Sequence, residues 1–335
     1  MKGVKDNRTN QVLEMSSSRE MREIALAKAS YNSTYQPPFT IPRDPQEFYE
    51  DLGFPFEVKD KNGMPKRARK LTDYQIMAWK EKKNLLVVKS NKIGLTSSFL
   101  LEDIQSRLLP EEAGYDLLLS AQSDEQAFEH IKTATDILRN SRKYSQFLDE
   151  RKSNSGTLTI KNPYNPRRSS RIIGLGSSIK AVFSWKRVNR IHMSDVSLLP
   201  LNGQKEFFGG LYSRLANTNG TIKIESIPMG QEGEVFRIYN NWMEAQGKKI
   251  KIKDSVASNV VADPKKLSTS FKVFEYPAEL AVKAGIISKE FLANQKLDLG
   301  ELMYQQLYGC KFIASGNQWY KVEWFSKDTG APMSF

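Results

Sequence analysis

The sequence predicts an α/β fold, a mainly parallel sheet with helices on both faces. Three observations carry that prediction. Short apolar runs of strand length alternate with longer helix-like segments from residue 84 onward, the pattern of a parallel sheet covered by helices. Several runs, NLLVVK (84–89), YDLLLSA (115–121) and VNRIHMS (188–194), are apolar enough to be buried strands, the last a central one. And NLLVVK runs through a polar, glycine-bearing loop straight into a helix.

The elements follow in order. Residues 1–35 are polar, with one helical pattern, SREMREIALAKAS, and read as an arm. Residues 36–58 are rich in proline and aromatics, an extended lead-in that packs on a domain. LTDYQIMAWKEKK (71–83) and 97–108 are helical. After YDLLLSA comes the helix DEQAFEHIKTATDILRN. TLTIK and RIIGLG are short strands that can pair as a hairpin. Beyond VNRIHMS lie a helix over roughly 204–217, the strand TIKIESIP (221–228) and the helix EGEVFRIYNNWMEAQ. KIKIK and SFKVFEY are late strands, and SKEFLANQKL and GELMYQQLYGCKF closing helices. No internal repeat is visible at solenoid periods.

Composition narrows the class. The chain has 335 residues, 39% of them apolar, and no run approaches the ~20 apolar residues of a membrane span. The N-terminus lacks the apolar stretch of a signal peptide. One cysteine excludes an internal disulfide, and two histidines with one cysteine argue against a His/Cys zinc site. The expectation is a soluble, intracellular protein. Net charge is +12, and from Arg151 to Ser194 there is no Asp or Glu. That stretch carries Arg167, Arg168, Arg171, Lys180, Lys186 and Arg187 among its cations, a footprint suited to nucleic acid or phosphate. The five tryptophans are scattered and suit packing. His192 and Met193 read as strand and core residues, and Cys310 as an inert thiol in a closing helix.

Residues 89–97, KSNKIGLTS, sit where P-loop proteins hold a nucleotide phosphate. In the frame G-x-x-x-x-G-K-[ST], Gly94 fits the second glycine and Thr96 the Ser/Thr, while Leu95 stands in the lysine slot and Lys89 in that of the first glycine. Gly94 permits close backbone approach, and the N–H groups of Ser90, Asn91, Lys92, Ile93, Gly94, Leu95, Thr96 and Ser97 can face phosphate oxygens. Thr96 or Ser97 can offer a hydroxyl to Mg²⁺. Lys89, from the strand end, or Lys92, inside the loop, can supply the cation. An acidic residue, Asp195, ends VNRIHMSDVSLLP, where a nucleotide motor holds Mg²⁺ and orients the attacking water. TIKIESIPMG is a sensor-like strand, and upstream Gln75 of TDYQ can read adenine.

In this order the series resembles the ATPase domain of the large terminase subunit, the motor that packages DNA into viral heads. A Tyr-Gln element precedes the loop (Tyr74, Gln75). A strand ending S-A-x-x-x-x-Q-A follows (SAQSDEQA, 120–127). A basic, glycine-bearing stretch leads into the acidic strand (RIIGLGSSIKAVFSWKRV), and a coupling motif like S-T-P-x-G comes next (SIPMG, with Ser226 and Pro228). The resemblance covers about 37–320, and its specificity lies in order and spacing. It implies a P-loop NTPase fold of the RecA/ASCE type, ATP and Mg²⁺ as cofactors, and double-stranded DNA as partner. It also implies a homo-oligomeric ring, with a portal and a small terminase subunit as further partners, in a host cytoplasm. The lambda-like members resemble this chain in a K-S-x-x-x-G loop, which makes Lys89 the phosphate lysine. Arg171 is the first candidate for the arginine finger, with Arg187 and Lys180 behind it. Arg167, Arg168, Lys186 and Arg187 are expected on DNA phosphates.

The chain departs from that pattern twice. The family's Asp-Glu is Ser194-Asp195-Val196 here, and two registers fit. Either Asp195 holds the metal and Val196 replaces the catalytic Glu, or Asp195 is the Glu and Ser194 replaces the metal-binding Asp. The expectation is an ATP-driven motor that translocates double-stranded DNA, its hydrolysis open to weakening or loss through the missing carboxylate, with a DNA-binding structural relative, or a helicase-like P-loop ATPase, as the other function classes. The chain also stops about where the family's nuclease domain would start. Nothing after Phe312 offers a carboxylate cluster, since Glu323 and Asp328 stand alone, so no nuclease activity is expected in this polypeptide and a separate nuclease chain can supply it. The domain reading is a 1–35 arm, a 36–320 ATPase domain and a 321–335 tail.

Overall fold

The computed structural model describes residues 39–53, 70–165, 167–176, 186–247 and 270–313, with the backbone of two short strands at 58–59 and 65–66. The N-terminal arm, the KIKIK strand, Lys180, Trp185, and the tail with Trp319 and Trp324 lie outside the described residues.

Helix α1 (Pro45–Asp51) opens with Asp44 accepting from the Gln46 and Glu47 N–H groups and with proline at its first position, both strong start signals. The strands β1 (Val58–Lys59) and β2 (Pro65–Lys66) form a small antiparallel ribbon after the lead-in. Helix α2 (Asp73–Lys80) begins with a full capping box, Thr72 with Gln75. Then come β3 (Asn84–Lys89), α3 (Leu95–Leu108), β4 (Asp116–Ser120), α4 (Asp124–Asn140), β5 (Thr157–Lys161), β6 (Ser169–Leu175) and β7 (Val188–Ser194). The chain continues through α5 (Gln204–Leu215), β8 (Thr221–Ser226), α6 (Gly233–Ala245), β9 (Phe271–Tyr276), α7 (Ala278–Lys283) and α8 (Lys289–Leu307).

The large sheet has seven strands in the order β5-β6-β4-β7-β8-β3-β9. Every pairing is parallel except β5 with β6, the hairpin that TLTIK and RIIGLG suggest. VNRIHMS is the central strand. Leu85 to Val88 and Leu117 to Leu119 are buried along both strand faces, as a parallel sheet sandwiched by helices requires. On one side Leu86, Val88, Met193 and Ile224 pack with Phe208, Leu211, Val235 and Ile238 of α5 and α6. On the other, Leu85 and Val87 pack with Leu95 and Phe99 of α3 and with Ala278, Ala281 and Tyr304 of α7 and α8. Leu101, Ile104 and Leu108 of α3 pack with Ile131 and Leu138 of α4. The fold is thus α/β, a mostly parallel sheet with helices on both faces, as expected of a P-loop NTPase.

The two closing helices, together labelled α8, meet at Gly300, whose φ of 71° and ψ of 167° are not helical and break the helix there. Cys310 lies beyond its end with φ of 57°, not inside a helix. Its Sγ donates to the Val88 carbonyl at 3.4 Å, and burial pushes the thiol up to about 12, so it is inert.

Between α3 and the sheet runs a line of buried charge. Lys223 Nζ sits 2.8 Å from both Glu102 oxygens and donates to the Ala78 and Trp79 carbonyls. Arg190 bridges Glu102 and Glu112, both at 3.1 Å, and the fully buried Arg107 meets Glu112 at 2.7 Å. Removing one partner of such a pair leaves an uncompensated buried charge. Lys223→Met is expected to cost about 3–5 kcal/mol in urea unfolding, and Lys223→Met with Glu102→Leu less than that. A loss below about 1 kcal/mol for the single variant would mean that water reaches the pair.

Candidate functional site

The site forms where β3 ends and α3 begins. Alternation along β3 puts Lys89 on the same face as Val87, and Val87 stands in register with Glu225 of β8, as Ser194 of β7 does from the other side. All three side chains therefore converge beneath the first turn of α3. Lys89 Nζ lies 2.6 Å from Glu225 Oε2, 3.1 Å from Asp195 Oδ1 and 3.2 Å from Thr96 Oγ1. The Thr96 and Ser194 hydroxyls both donate to Glu225 Oε1 at 2.7 Å.

The loop itself is held from four sides. The Ser90 N–H donates to the Tyr276 carbonyl of β9 at 3.0 Å, and the Asn91 N–H to the Leu307 carbonyl of α8 at 2.9 Å. The Tyr74 hydroxyl donates to the Ile93 carbonyl at 2.7 Å, and Gln75 Nε2 to the Gly94 carbonyl at 2.8 Å. The Tyr-Gln pair therefore fixes the loop backbone, and the Gln75 carbonyl oxygen is taken by Thr72 N–H and hydroxyl. Lys92 and Gly94 are left-handed, φ 61° and 74°. For Lys92 this is an uncommon conformation, and its side chain points to solvent. Leu95, in the slot of the usual lysine, is buried in the apolar cluster with Tyr74 and Phe99. α3 starts at Gly94 with no side-chain cap, so the N–H groups of Leu95, Thr96 and Ser97 lack an intrahelical acceptor and can meet an anion. Beside them opens a cavity of about 590 Å³ lined by Tyr49, Leu71, Thr72, Gln75, Gly94 and Ser97.

The electrostatics follow from burial. Burial works against the Lys89 ammonium, but Glu225 and Asp195 hold its pKa above the ordinary lysine value. Burial also opposes the Glu225 carboxylate, and Lys89 and His192 overcome it, holding the group below the usual range. Burial and then the Glu225 charge raise Asp195. His192 Nδ1 lies 2.7 Å from Asp103 Oδ2 of α3, and Nε2 3.9 Å from Glu225. Its pKa is raised to about 9 because Asp103 outweighs burial.

Asp195 lies past the end of β7 in a left-handed turn, φ 50°, and its N–H donates to the Glu225 carbonyl. The SIPMG segment touches that turn. The Ser197 N–H donates to Ser226 Oγ at 3.1 Å, the two hydroxyls are 2.7 Å apart, and the Ser197 hydroxyl reaches the Ile227 carbonyl. Pro228, next in the strand's exit, is buried.

Lys89, the loop, Thr96, Ser194, Asp195 and Ser226 are thus brought together at the carboxyl ends of the strands. Arg171 is not. It binds Asp116 at 2.6 Å, at the start of β4, and Arg187 approaches the same carboxylate at 3.6 Å. Arg167 and Arg168 precede β6, and Lys186 and Arg187 precede β7. All five therefore cluster at the amino ends of the strands. That edge is about 20 Å from the loop, the length of a seven-residue strand. Glu225 was not singled out in the sequence, although its signal was present: Lys223 and Glu225 place charges at alternate positions of an otherwise apolar central strand.

Comparison with solved structures supplies the relatives. No protein-family model matches the chain, and no curated protein matches it. The Thermus phage P74-26 large terminase ATPase domain matches with a TM-score of 0.55 at 13% identity, over 83% of this chain and 100% of that one. The bacteriophage HK97 large terminase matches with a TM-score of 0.52 at 14% identity, over 78% of this chain and 55% of that one. The large terminase of the thermophilic bacteriophage D6E gives 0.50 at 12% identity, over 77% and 57%. The matched region is thus a little over half of the HK97 and D6E proteins and the whole of the P74-26 domain. In architecture, across most of its length, the chain has the fold of the ATPase domain of phage large terminases.

Proposed function

We propose that the chain is a terminase-like motor ATPase that binds ATP with Mg²⁺ at KSNKIGLTS and moves double-stranded DNA. The observation that carries this reading is Lys89, which reaches from the strand end to the Thr96 hydroxyl at 3.2 Å with Asp195 facing it. A strand-end lysine thereby occupies the ground over the loop's threonine where a phosphate cation is needed. The D6E terminase has been solved with ADP, at a TM-score of 0.50 and 12% identity, which supports a nucleotide in this fold.

Each residue then has a task. The N–H groups of the loop and of the first turn of α3 cradle the phosphates. Lys89 turns from the carboxylates to the γ-phosphate and stabilises the charge spread over its oxygens. The cavity beside Gln75 takes the base. Asp195, at the mouth of the site with its carboxyl raised, orients the attacking water and accepts its proton. Thr96 and the acidic turn would hold Mg²⁺, which neutralises phosphate charge when bound. Ser226, tied to the turn after Asp195, senses the state of that turn. Arg167, Arg168, Lys186 and Arg187 contact DNA phosphates from the opposite edge of the sheet, and Arg171, paired with Asp116, belongs to that edge rather than to the loop of its own chain. A ring of copies working with a portal and a small terminase subunit fits this reading. The competing one, a nucleotide-binding relative without turnover, is favoured by Ser194, the hydroxyl that stands where the second register needs a carboxylate.

Turnover separates the two. Lys89→Ala and Asp195→Asn are each expected to lower DNA-stimulated ATP hydrolysis about 100-fold or more, while nucleotide binding without turnover in the unmodified chain would support the second reading. Binding to duplex DNA should weaken with salt. Arg167→Ala, Arg168→Ala and Lys186→Ala should flatten the log–log salt slope by about 0.9 for each phosphate no longer neutralised. An unchanged slope would move the DNA path off this edge.

A further inference from the structure

Glu225 takes no part in the phosphate and water chemistry assigned to Lys89 and Asp195, yet it is the most fully engaged carboxylate of the site. It is completely buried, and its two oxygens meet Lys89 at 2.6 Å, Thr96 and Ser194 at 2.7 Å and His192 at 3.9 Å. A counter-ion for Lys89 would not require this, because Asp195 already faces that ammonium at 3.1 Å. The contact that a counter-ion does not explain is the one to Thr96, the loop hydroxyl best placed to ligate a nucleotide-bound cation. We propose that Glu225 is the carboxylate that positions Mg²⁺ at the loop, with the Ser194 hydroxyl orienting it. This rests on the ATPase reading and deepens it.

Register makes the assignment possible. Ser194 and Glu225 are direct partners across β7 and β8, so their side chains leave the sheet on the same face at the same level. A carboxylate missing at 194 is replaced by one on the next strand, pointing to the same place, and the hydroxyl left at 194 donates to it. The second register of the acidic motif then becomes complete, with the metal carboxylate on β8 and the water-orienting carboxylate, Asp195, after β7.

Charge favours the same conclusion. Lys89 is shared by two carboxylates, 2.6 Å from Glu225 and 3.1 Å from Asp195. When Lys89 turns to a phosphate, Glu225 and Asp195 lose their nearest cation inside a buried site, a costly state unless another cation enters. Among the described residues no group of three or more His, Cys, Asp or Glu is arranged to hold a metal. Mg²⁺ does not need such a group, since it keeps several waters and is held by one or two carboxylates plus substrate phosphates.

The test is the ratio of fluorescent ADP affinity in Mg²⁺ to that in EDTA, measured on the full chain by equilibrium titration. Glu225→Gln keeps the shape and the hydrogen-bond acceptor for Thr96 and Ser194, so circular dichroism serves as the control on folding. The ratio is expected to fall at least tenfold in Glu225→Gln and to recover in Ser194→Asp with Glu225→Gln, where the carboxylate is moved back one strand. Electron paramagnetic resonance of Mn²⁺ with ADP should show the same loss and recovery. A ratio that survives Glu225→Gln, or a loss that Ser194→Asp does not repair, overturns the assignment and makes Glu225 a structural partner of Lys89. Absence of nucleotide binding by the unmodified chain in both buffers overturns the ATPase reading itself, and the assignment with it.

Discussion

The contact between Lys89 and Glu225 is the constraint around which the site is organised. An ammonium and a carboxylate 2.6 Å apart and almost wholly buried hold together only if their remaining hydrogen-bonding capacity is met. Thr96 from α3 and Ser194 from β7 meet that of Glu225, and Asp195 meets that of Lys89. Three strands and one helix must therefore be in register at a single level. The backbone enforces this through parallel pairing of β7 with β8 and of β8 with β3, and through packing of Leu95 and Phe99 beneath the loop.

The same face of the sheet carries polar groups well beyond the loop. Below Glu225 lie His192 with Asp103, then Lys223 with Glu102 and Arg190, then Glu112 with Arg107. At the amino edge, on the opposite face with Leu118 and Ile173, Asp116 holds Arg171 and Arg187. α3 supplies a carboxylate or a guanidinium to most of these contacts, which is why a helix with so many charged residues is nevertheless buried. Buried pairs of this kind stabilise little against an apolar core, but they fix the position of α3 along the sheet, because sliding it would separate several pairs at once. The helix that begins at KSNKIGLTS thus reaches, through Arg107, the Tyr115 carbonyl and Asn189 at the amino edge of the sheet.

Much of this was legible in the sequence, for physical reasons that also explain what was not. β3, β7 and α4 are set by strong local patterns, and their boundaries match the apolar runs and the Ser123 cap. Lys89 and Thr96 lie seven residues apart, so a local reading places them together. Glu225 was hidden because its partners on β3 and α3 are more than a hundred positions away, and they meet only through the strand order β7-β8-β3, which no local pattern encodes. Arg171 is the first finger candidate because it lies in the stretch before the acidic strand where the family's candidates sit, but a parallel strand returns to the same edge before it advances, so the start of β6 lies at the far end from the loop. The break at Gly300 was readable, and the turn at Cys310 was not: its left-handed backbone belongs to the helix end, where the Gly309 and Lys311 N–H groups both donate to the Gln305 carbonyl.

If the proposed ATPase reading holds, the displaced lysine and the displaced carboxylate are one change. In the usual frame the cation stands at the start of the helix, at the position of Leu95. Here that position is spent on apolar packing with Tyr74 and Phe99, so the cation must come from β3. A lysine rooted in β3 is one strand away from β8 and two from β7. A carboxylate at 225 is on the neighbouring strand and meets it at 2.6 Å, closer than Asp195 beyond the end of β7 at 3.1 Å. Moving the acid one strand toward the lysine keeps a buried cation paired before nucleotide arrives, and leaves at 194 a small hydroxyl that fits beneath it. Ser194 is then no sign of a decayed motif, but the residue that a carboxylate at 225 leaves room for.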